Sequence, residues 1–229
     1  MIGAARAWMS DLAAFALPQR CPGCGAGADP ARLLCDACHA AIPRLSFPLC
    51  ARCLVRGRDP GGCGAHPLHR VWAAWSYDER AARVVHALKY GERPTLARGL
   101  AVEIARALPP RPRPELVIEV PLHPARLRER GYNQAARLAE SLADAIGVPR
   151  VAGVLRRTRS TRAQARLGPE ERRTNLAGAF AVEHAEWIDG REVLLVDDVI
   201  TTGATFEACA EALIEAGARP VGAALAWAQ

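Results

Sequence analysis

Short apolar runs and longer amphipathic stretches alternate along most of this chain. The apolar runs are too short for helices and several are rich in β-branched residues, so we predict strands at residues 71–77, 116–121, 151–155, 179–182, 193–196 and 221–227. Apolar residues three or four positions apart predict helices at residues 80–90, 94–108, 134–146 and 206–216. This alternation predicts an α/β fold, in which helices flank a parallel sheet with right-handed crossovers that the last strand closes.

Two polar stretches interrupt the pattern after predicted strands. Residues 122–134 are basic and predict a loop before the next helix, whereas residues 156–168 are rich in arginine and predict a mobile loop. Ligands of parallel sheets bind beyond the carboxyl ends of the strands. Arg159 and Arg162 are therefore candidates for anion binding, although an arginine on a loop is by default a solvated charge.

The predicted strand at residues 193–196 is the first part of the motif Val193-Leu-Leu-Val-Asp-Asp-Val-Ile-Thr-Thr-Gly-Ala-Thr205. Its hydroxyl-rich turn precedes the predicted helix and consists of Thr201, Thr202, Gly203, Ala204 and Thr205. A helix N-terminus attracts phosphate through free N–H groups and its dipole, glycine permits close backbone approach, and threonine hydroxyls add donors. Carboxylates only accept hydrogen bonds, so Asp197 and Asp198 suit two vicinal hydroxyls.

A phosphate at one end of this turn and a diol at the other describe a ribose 5-phosphate. The motif resembles the phosphoribosyl-pyrophosphate (PRPP) binding motif of type I phosphoribosyltransferases, a hydrophobic strand followed by an acid pair, Thr-Thr-Gly and a final Thr or Ser. The alternative interpretation is a buried strand whose aspartates only cap the next helix.

The chain has 229 residues and a net charge of +6, and residues 111–173 hold fourteen arginines against seven acidic residues. This length suits one α/β domain with a small appendage. Lys89 is the lone lysine among thirty basic residues. An ammonium is a compact, mobile charge that arginine does not reproduce, so Lys89 is a candidate site residue; chance retention is the alternative.

No apolar run approaches the roughly 18 residues that a membrane span requires, so we expect a soluble, cytoplasmic protein. Residues 1–17 place Ile2, Trp8, Leu12 and Phe15 at helical spacing without a cleavage site after them. We predict a docking helix instead of a signal peptide, with a membrane-surface helix as the alternative.

Seven of the eight cysteines lie between residues 21 and 63 and form, with one histidine, four pairs separated by two residues. The pairs are Cys21 with Cys24, Cys35 with Cys38, Cys50 with Cys53, and Cys63 with His66. Two such pairs complete one tetrahedral site, so we predict two structural Zn²⁺ ions and leave open which pairs share an ion. A disulfide framework is the rival interpretation. Cys209 lies on an apolar helical face and is expected in the core.

Further motifs accompany these pairs and the acid pair: His86-Ala-Leu-Lys-Tyr90, Arg130-Gly-Tyr-Asn-Gln134, Arg159-Ser-Thr-Arg-Ala-Gln164 and Arg172-Arg-Thr-Asn-Leu-Ala-Gly-Ala-Phe180. Together they resemble the ComF family over nearly the whole chain. The resemblance implies an N-terminal helix and double zinc ribbon at residues 1–68 and a phosphoribosyltransferase-like domain at residues 69–229. Cys63-Gly-Ala-His66 departs from the fourth Cys-x-x-Cys of the family.

The resemblance also implies a chemistry. PRPP with Mg²⁺ would transfer its phosphoribosyl group to an unidentified acceptor and release pyrophosphate, with Asp197, Asp198 and Lys89 as the catalytic residues. The acid pair would hold the ribose hydroxyls, residues 201–205 the 5-phosphate, and Lys89 with the arginine loop the pyrophosphate. Members of the family are linked to DNA uptake in natural competence. The alternatives are a regulator that binds PRPP or a nucleotide without turnover, and a protein that handles single-stranded DNA beside competence proteins.

Overall fold

The computed structural model describes residues 20–29, 32–54, 66–68, 70–90, 95–110, 113–158 and 168–228. Its strands are β1 (Pro48–Leu49), β2 (Val71–Ser76), β3 (Leu116–Glu119), β4 (Leu155–Arg157), β5 (Phe180–Val182), β6 (Glu192–Ile200) and β7 (Arg219–Trp227). Its helices are α1 (Asp36–Ala41), α2 (Glu79–Tyr90), α3 (Thr95–Ala107), α4 (Pro124–Arg130), α5 (Gln134–Ile146), α6 (Pro169–Leu176) and α7 (Ala204–Glu215). The helix predicted at residues 1–17 lies outside the described residues.

Five strands form one sheet in the order β1-β2-β7-β6-β3. Strands β2, β7, β6 and β3 run parallel, and β1 joins the edge antiparallel to β2. The predicted α/β fold with a parallel sheet flanked by helices is therefore confirmed. The prediction that the last strand closes the sheet is wrong: β7 lies between β2 and β6, and its small apolar residues from Val221 to Ala226 suit a strand buried on both faces.

Strand β6 is covered on both faces, which explains its continuous apolar run. Val193 and Leu195 pack into the cluster that contains α7, whereas Leu194 and Val196 pack into the cluster that contains α2, α3 and α5. All four side chains are fully buried. The buried first part of β6 therefore fixes the position of the acid pair near the carboxyl end of the same strand.

The predicted strand at residues 151–155 meets the parallel sheet only at its start, where the N–H of Val151 donates to the carbonyl of Val117 on β3, and the predicted strand at residues 179–182 does not join that sheet. Strands β4 and β5 pair with each other, antiparallel, in a separate two-stranded ribbon, with Leu155 opposite Val182. Gly153 has φ 76°, which turns the backbone and prevents one strand from running through residues 151–155. The ribbon packs against α7 and brings Arg157 toward the acid pair.

The predicted loop at residues 122–134 contains helix α4. Pro124 opens this helix, His123 Nδ1 accepts the N–H of Ala125, and Gly131 ends it with φ 79°. Asn133 then caps α5 by accepting the N–H of Ala135. These local caps create a helix where charge alone predicted a loop, because basic residues are compatible with helical structure when both ends are capped.

The cysteine-rich segment is joined to the sheet. Strand β1 pairs with β2, and the backbone N–H of Leu45 donates to the carbonyl of Ala74. Arg44 reaches the buried carboxylate of Glu103 on α3, which also accepts from the indole of Trp75. The boundary predicted between residues 68 and 69 thus falls between β1 and its partner strand.

Within the described ranges, no helix has the length and apolar character needed to cross a bilayer.

Candidate functional site

The acid pair lies near the carboxyl end of β6, which continues past it to Ile200. Asp197 is partly buried, and Asp198 is only 4% exposed. Asp197 Oδ1 accepts the N–H of Asp198 at 2.8 Å, and Asp198 Oδ1 accepts the N–H of Val199 at 2.9 Å. These backbone contacts hold both carboxylates in defined orientations.

Lys89, in the last turn of α2, lies directly against this pair. Its Nζ is 2.7 Å from Asp198 Oδ2. Burial alone would lower the pKa of Lys89, but the carboxylates of Asp198 and then Asp197 outweigh it, so this pKa is raised. Burial and the negative charge of Asp198 raise the pKa of Asp197 well above its ordinary value. The structure thus brings together the three residues predicted to be catalytic.

The predicted turn at residues 201–205 leads into α7. Gly203 adopts φ 73° at the N-cap position and the helix begins at Ala204. The hydroxyl-bearing residues of the turn are partly or fully exposed: Thr201, Thr202 and Thr205. The first N–H groups of a helix have no intrahelical acceptor, so this turn has the donors that a phosphate requires.

Another segment of the protein lies very close to the backbone of Gly203. A Cβ atom at Gly203 would lie 1.6 Å from the carbonyl oxygen of Ala51, between Cys50 and Cys53. A side chain is therefore excluded at Gly203 by the cysteine-rich segment, in addition to the positive φ.

A cavity of about 420 Å³ opens beside the acid pair. Its lining combines the acid pair with the segment after β3, helix α4 and the β4–β5 ribbon: Val120, Pro121, Leu122, His123, Ala125, Arg126, Glu129, Gln134, Arg157, Asp197, Asp198 and Thr205. The predicted loop arginines Arg159 and Arg162 lie outside the described residues.

Arg157 and His123 are cavity residues that the sequence analysis did not single out. The Arg157 guanidinium lies 5.5 Å from the centre of the Phe180 ring, and burial lowers the pKa of Arg157. Burial, followed by the positive charges of Arg157, Arg128 and Arg126, lowers the pKa of His123. The Pro-Leu-His-Pro sequence after a core strand is the signal that points to His123, whereas Arg157 is indistinguishable by sequence from its neighbours.

Two groups of metal-ligating side chains occur in the described part of the cysteine-rich segment. The first contains Cys21, Cys24, Cys35 and Cys38, whose sulfur atoms lie within 4.8 Å of one another. The backbone N–H of Cys35 donates to the Cys21 sulfur at 3.4 Å. Four cysteines in this arrangement fit a tetrahedral Zn²⁺ site.

The second group contains Cys50, Cys53 and His66, again within 4.8 Å, with His66 Nδ1 3.2 Å from the Cys50 sulfur. Cys63, the fourth predicted ligand, lies outside the described residues. The structure therefore groups consecutive pairs. The seven described cysteines are free of disulfides, and Cys209 is fully buried in the core as predicted.

Two regions of this chain match known domain families. Residues 12–65 match the double zinc ribbon domain, and residues 129–229 match the phosphoribosyl transferase domain. The first match and the four-cysteine group support structural zinc. Lys89, α2 and α3 lie between the two matched regions.

Several curated proteins are similar over most of the chain. The DNA utilization protein YhgH of Salmonella typhi is 32% identical over 82% of this chain and 87% of its own length. Competence protein F of Haemophilus influenzae is 32% identical, with the same two coverages. YhgH of Escherichia coli K12 is 29% identical over 88% of this chain and 86% of its own length.

Solved structures give weaker matches. A glutamine PRPP amidotransferase from B. subtilis, complexed with ADP and GMP, has a TM-score of 0.40 and 22% identity, covering 60% of this chain and 29% of that chain. An adenine phosphoribosyltransferase from Leishmania tarentolae has a TM-score of 0.37 and 15% identity, covering 68% and 77%. The sequence matches carry the assignment: the chain belongs to the ComF family of competence protein F and YhgH, in which a double zinc ribbon precedes a phosphoribosyl transferase domain.

Proposed function

We propose that the cavity binds PRPP as its Mg²⁺ complex and that the protein transfers the phosphoribosyl group to an acceptor, with release of pyrophosphate. The observation that carries the proposal is the convergence of the acid pair, Thr205 and basic residues on one cavity. The phosphoribosyl transferase domain match supports the general class of enzyme.

The 5-phosphate would bind at residues 201–205. The N-terminus of α7 offers backbone N–H groups and the positive end of its dipole, and Thr201, Thr202 and Thr205 add hydroxyl donors. Because α7 has twelve residues and a buried face, this end of the helix is held firmly against the sheet.

The ribose hydroxyls would donate to Asp197 and Asp198. The backbone N–H groups of residues 198 and 199 orient these carboxylates. Lys89 partly neutralises the pair, which reduces the repulsion between two adjacent acids in a partly buried site.

The diphosphate would lie toward the basic lining of the cavity, where Arg126 and Arg157 supply positive charge. In the reaction the bond between ribose C1 and the pyrophosphate oxygen breaks, and its electron pair leaves with pyrophosphate. A lone pair of the acceptor forms the new bond to C1, and the acceptor loses a proton to solvent or to a nearby base. Guanidinium groups and Mg²⁺ would stabilise the charge on the departing group.

The direct test is to add PRPP and Mg²⁺ to the purified full-length protein, measure binding by calorimetry, and screen nucleobases for pyrophosphate release. We expect PRPP binding and acceptor-dependent release. PRPP binding without pyrophosphate release in the presence of any acceptor would favour the alternative of a regulator that binds PRPP without turnover. Absence of PRPP binding would contradict both the transferase and the regulator.

One surface feature favours a second candidate, the handling of single-stranded DNA. Tyr90 is 50% exposed; its ring lies 4.7 Å from that of His86, and the Arg130 guanidinium lies 5.0 Å from its centre. Nearby, Tyr132 donates to the Leu88 carbonyl and carries the Arg137 guanidinium over its ring at 4.8 Å. The exposed ring of Tyr90 beside basic groups suits base stacking and phosphate contact, and relatives are named for DNA utilization and competence.

A further inference from the structure

The second knuckle, defined as residues 50–53 between the cysteine ligands of the second metal group, touches the proposed phosphate-binding turn at residues 201–205 through its backbone. Ala51 is completely buried, and its carbonyl oxygen occupies the space that a Cβ of Gly203 would fill. The contact joins two main chains without an intervening side chain, so a shift of the knuckle is transmitted directly to the turn.

Arg173 of α6 ties the same two segments together. Its Nη2 donates to the carbonyl of Arg52 at 2.9 Å and to the carbonyl of Thr202 at 3.4 Å. One guanidinium group therefore bridges the knuckle and the turn. A planar group with several fixed donors suits this role better than an ammonium does.

Glu207, in the first turn of α7, completes the connection. Its Oε2 accepts from Arg173 Nε at 3.0 Å, and its Oε1 forms an ion pair with Arg52 Nε at 3.3 Å. Glu207 is only 4% exposed. A carboxylate buried to this extent is costly without partners, so its two arginines hold the helix start against the knuckle.

Ala51 and Arg52 are the two residues between Cys50 and Cys53. A metal ion that binds both cysteines would therefore fix the two residues that contact the turn. The donor set fits such an ion, because two sulfur atoms and the His66 imidazole lie within 4.8 Å of one another.

We propose that Glu207 and Arg173 are positioning residues that couple the second knuckle to the phosphate-binding turn, so that metal binding at Cys50, Cys53 and His66 strengthens phosphate binding at residues 201–205. The ligand part of this inference rests on the proposed function. Two ligands that favour one arrangement of a shared element stabilise each other's binding, and the coupling is reciprocal.

The first test compares two single substitutions at exposed knuckle cysteines, Cys53→Ser in the second group and Cys24→Ser in the first. Zinc per chain is measured by native mass spectrometry, hydrogen exchange is followed at residues 201–207, and ribose 5-phosphate affinity is measured by calorimetry. We expect Cys53→Ser to raise exchange at residues 201–207 and to weaken ribose 5-phosphate binding about tenfold. Cys24→Ser is expected to lose metal without either effect.

The second test addresses the positioning residues. Glu207→Gln and Arg173→Lys should each reduce the difference in ribose 5-phosphate affinity between proteins with and without Cys53→Ser, whereas Glu215→Gln, on the exposed end of the same helix, should preserve it. A role in stability alone would lower both affinities without changing their ratio, and that result would overturn the proposal.

The outcomes separate this inference from the proposed function. If unaltered protein fails to bind ribose 5-phosphate and PRPP, the proposed function and the ligand part of the coupling both fail. If unaltered protein binds them but Cys53→Ser leaves both affinity and exchange at residues 201–207 unchanged, the coupling alone is overturned.

Discussion

Lys89 and Asp198 form an ion pair of 2.7 Å between the last turn of α2 and the end of β6. Lys89 lies before the region that matches the phosphoribosyl transferase domain, so the segment between the two matched regions contributes to the site. A ribose bound at Asp198, as proposed, would meet this ammonium. The lone lysine of the chain therefore has a defined partner at the place where the substrate is proposed to bind.

Asp198→Asn is expected to destabilise the fold. It leaves the partly buried Lys89 ammonium without its closest counter-charge, and removing one partner of such a pair costs about 1–3 kcal/mol, below the range for fully buried pairs because Lys89 is 26% exposed. Urea denaturation at neutral pH measures the change. Lys89→Met combined with Asp198→Asn should recover part of the loss.

The control for the ion pair is Glu79→Gln, which breaks the exposed pair between Glu79 and Arg83 on the same helix and should change stability by less than about 0.5 kcal/mol. The raised pKa of Lys89 sets the pH window: the stabilisation is fully present below the ordinary value of 10.5 and is lost as pH rises through the raised pKa. Equal losses for Asp198→Asn and Glu79→Gln would contradict a buried ion pair.

Asp197→Asn should behave differently, weakening PRPP binding about tenfold or more while sparing stability. The pKa of Asp197 is raised, so the folded protein retains a proton that the unfolded chain releases above pH 3.8, and stability falls as pH rises toward the raised pKa. The Asp197→Asn substitution removes this pH-dependent loss of stability, because asparagine does not titrate. Calorimetry with PRPP and denaturation curves at several pH values test both parts.

The matched control is Asp144→Asn, an exposed acid on α5. It should leave PRPP affinity as it is. If Asp197→Asn binds PRPP as tightly as unaltered protein does, the acid pair does not hold the ribose.

Arg157→Gln should weaken the binding of PRPP and of free pyrophosphate about tenfold, with little effect on ribose 5-phosphate, because Arg157 lies on the proposed diphosphate side of the cavity. Arg156→Gln is the control, since the adjacent Arg156 points to solvent and pairs with Glu183. Competition binding with the three ligands separates the effects. A parallel loss of ribose 5-phosphate affinity would show that Arg157 acts elsewhere.

Local sequence patterns were sufficient to predict strand β6, the turn that follows it and helix α7. A continuous apolar run, two acids and a Thr-Thr-Gly turn predicted a buried strand, its loop and the next helix, and β6 and α7 confirm this arrangement. The pattern is strong because each part has its own local physical cause: burial on both faces of the strand, and a turn that must lead into a helix.

Contacts between distant segments were beyond local patterns. Glu207 reads as an ordinary polar residue in an amphipathic helix, and only the folded chain shows that it meets Arg52 and Arg173. The same holds for Gly203, whose glycine requirement was assigned to a ligand although Ala51 also imposes it. Position in three dimensions, not residue type, separates Arg157 from the other arginines near it.

Tyr90→Ala tests the second candidate function. If single-stranded DNA stacks on the ring of Tyr90, its removal should weaken oligonucleotide binding by about 1–3 kcal/mol, while binding of PRPP changes little. Trp187→Ala is the control, because Trp187 is also exposed and stacked on a histidine, His184, but belongs to the turn before β6. Fluorescence anisotropy with a labelled oligonucleotide at two salt concentrations measures the effect.

Arg130→Gln should in addition reduce the salt dependence of oligonucleotide binding, because the Arg130 guanidinium would contact phosphate. Equal effects of Tyr90→Ala and Trp187→Ala would show that DNA binds without a defined stacking surface, and the aromatic cluster would then no longer favour this function.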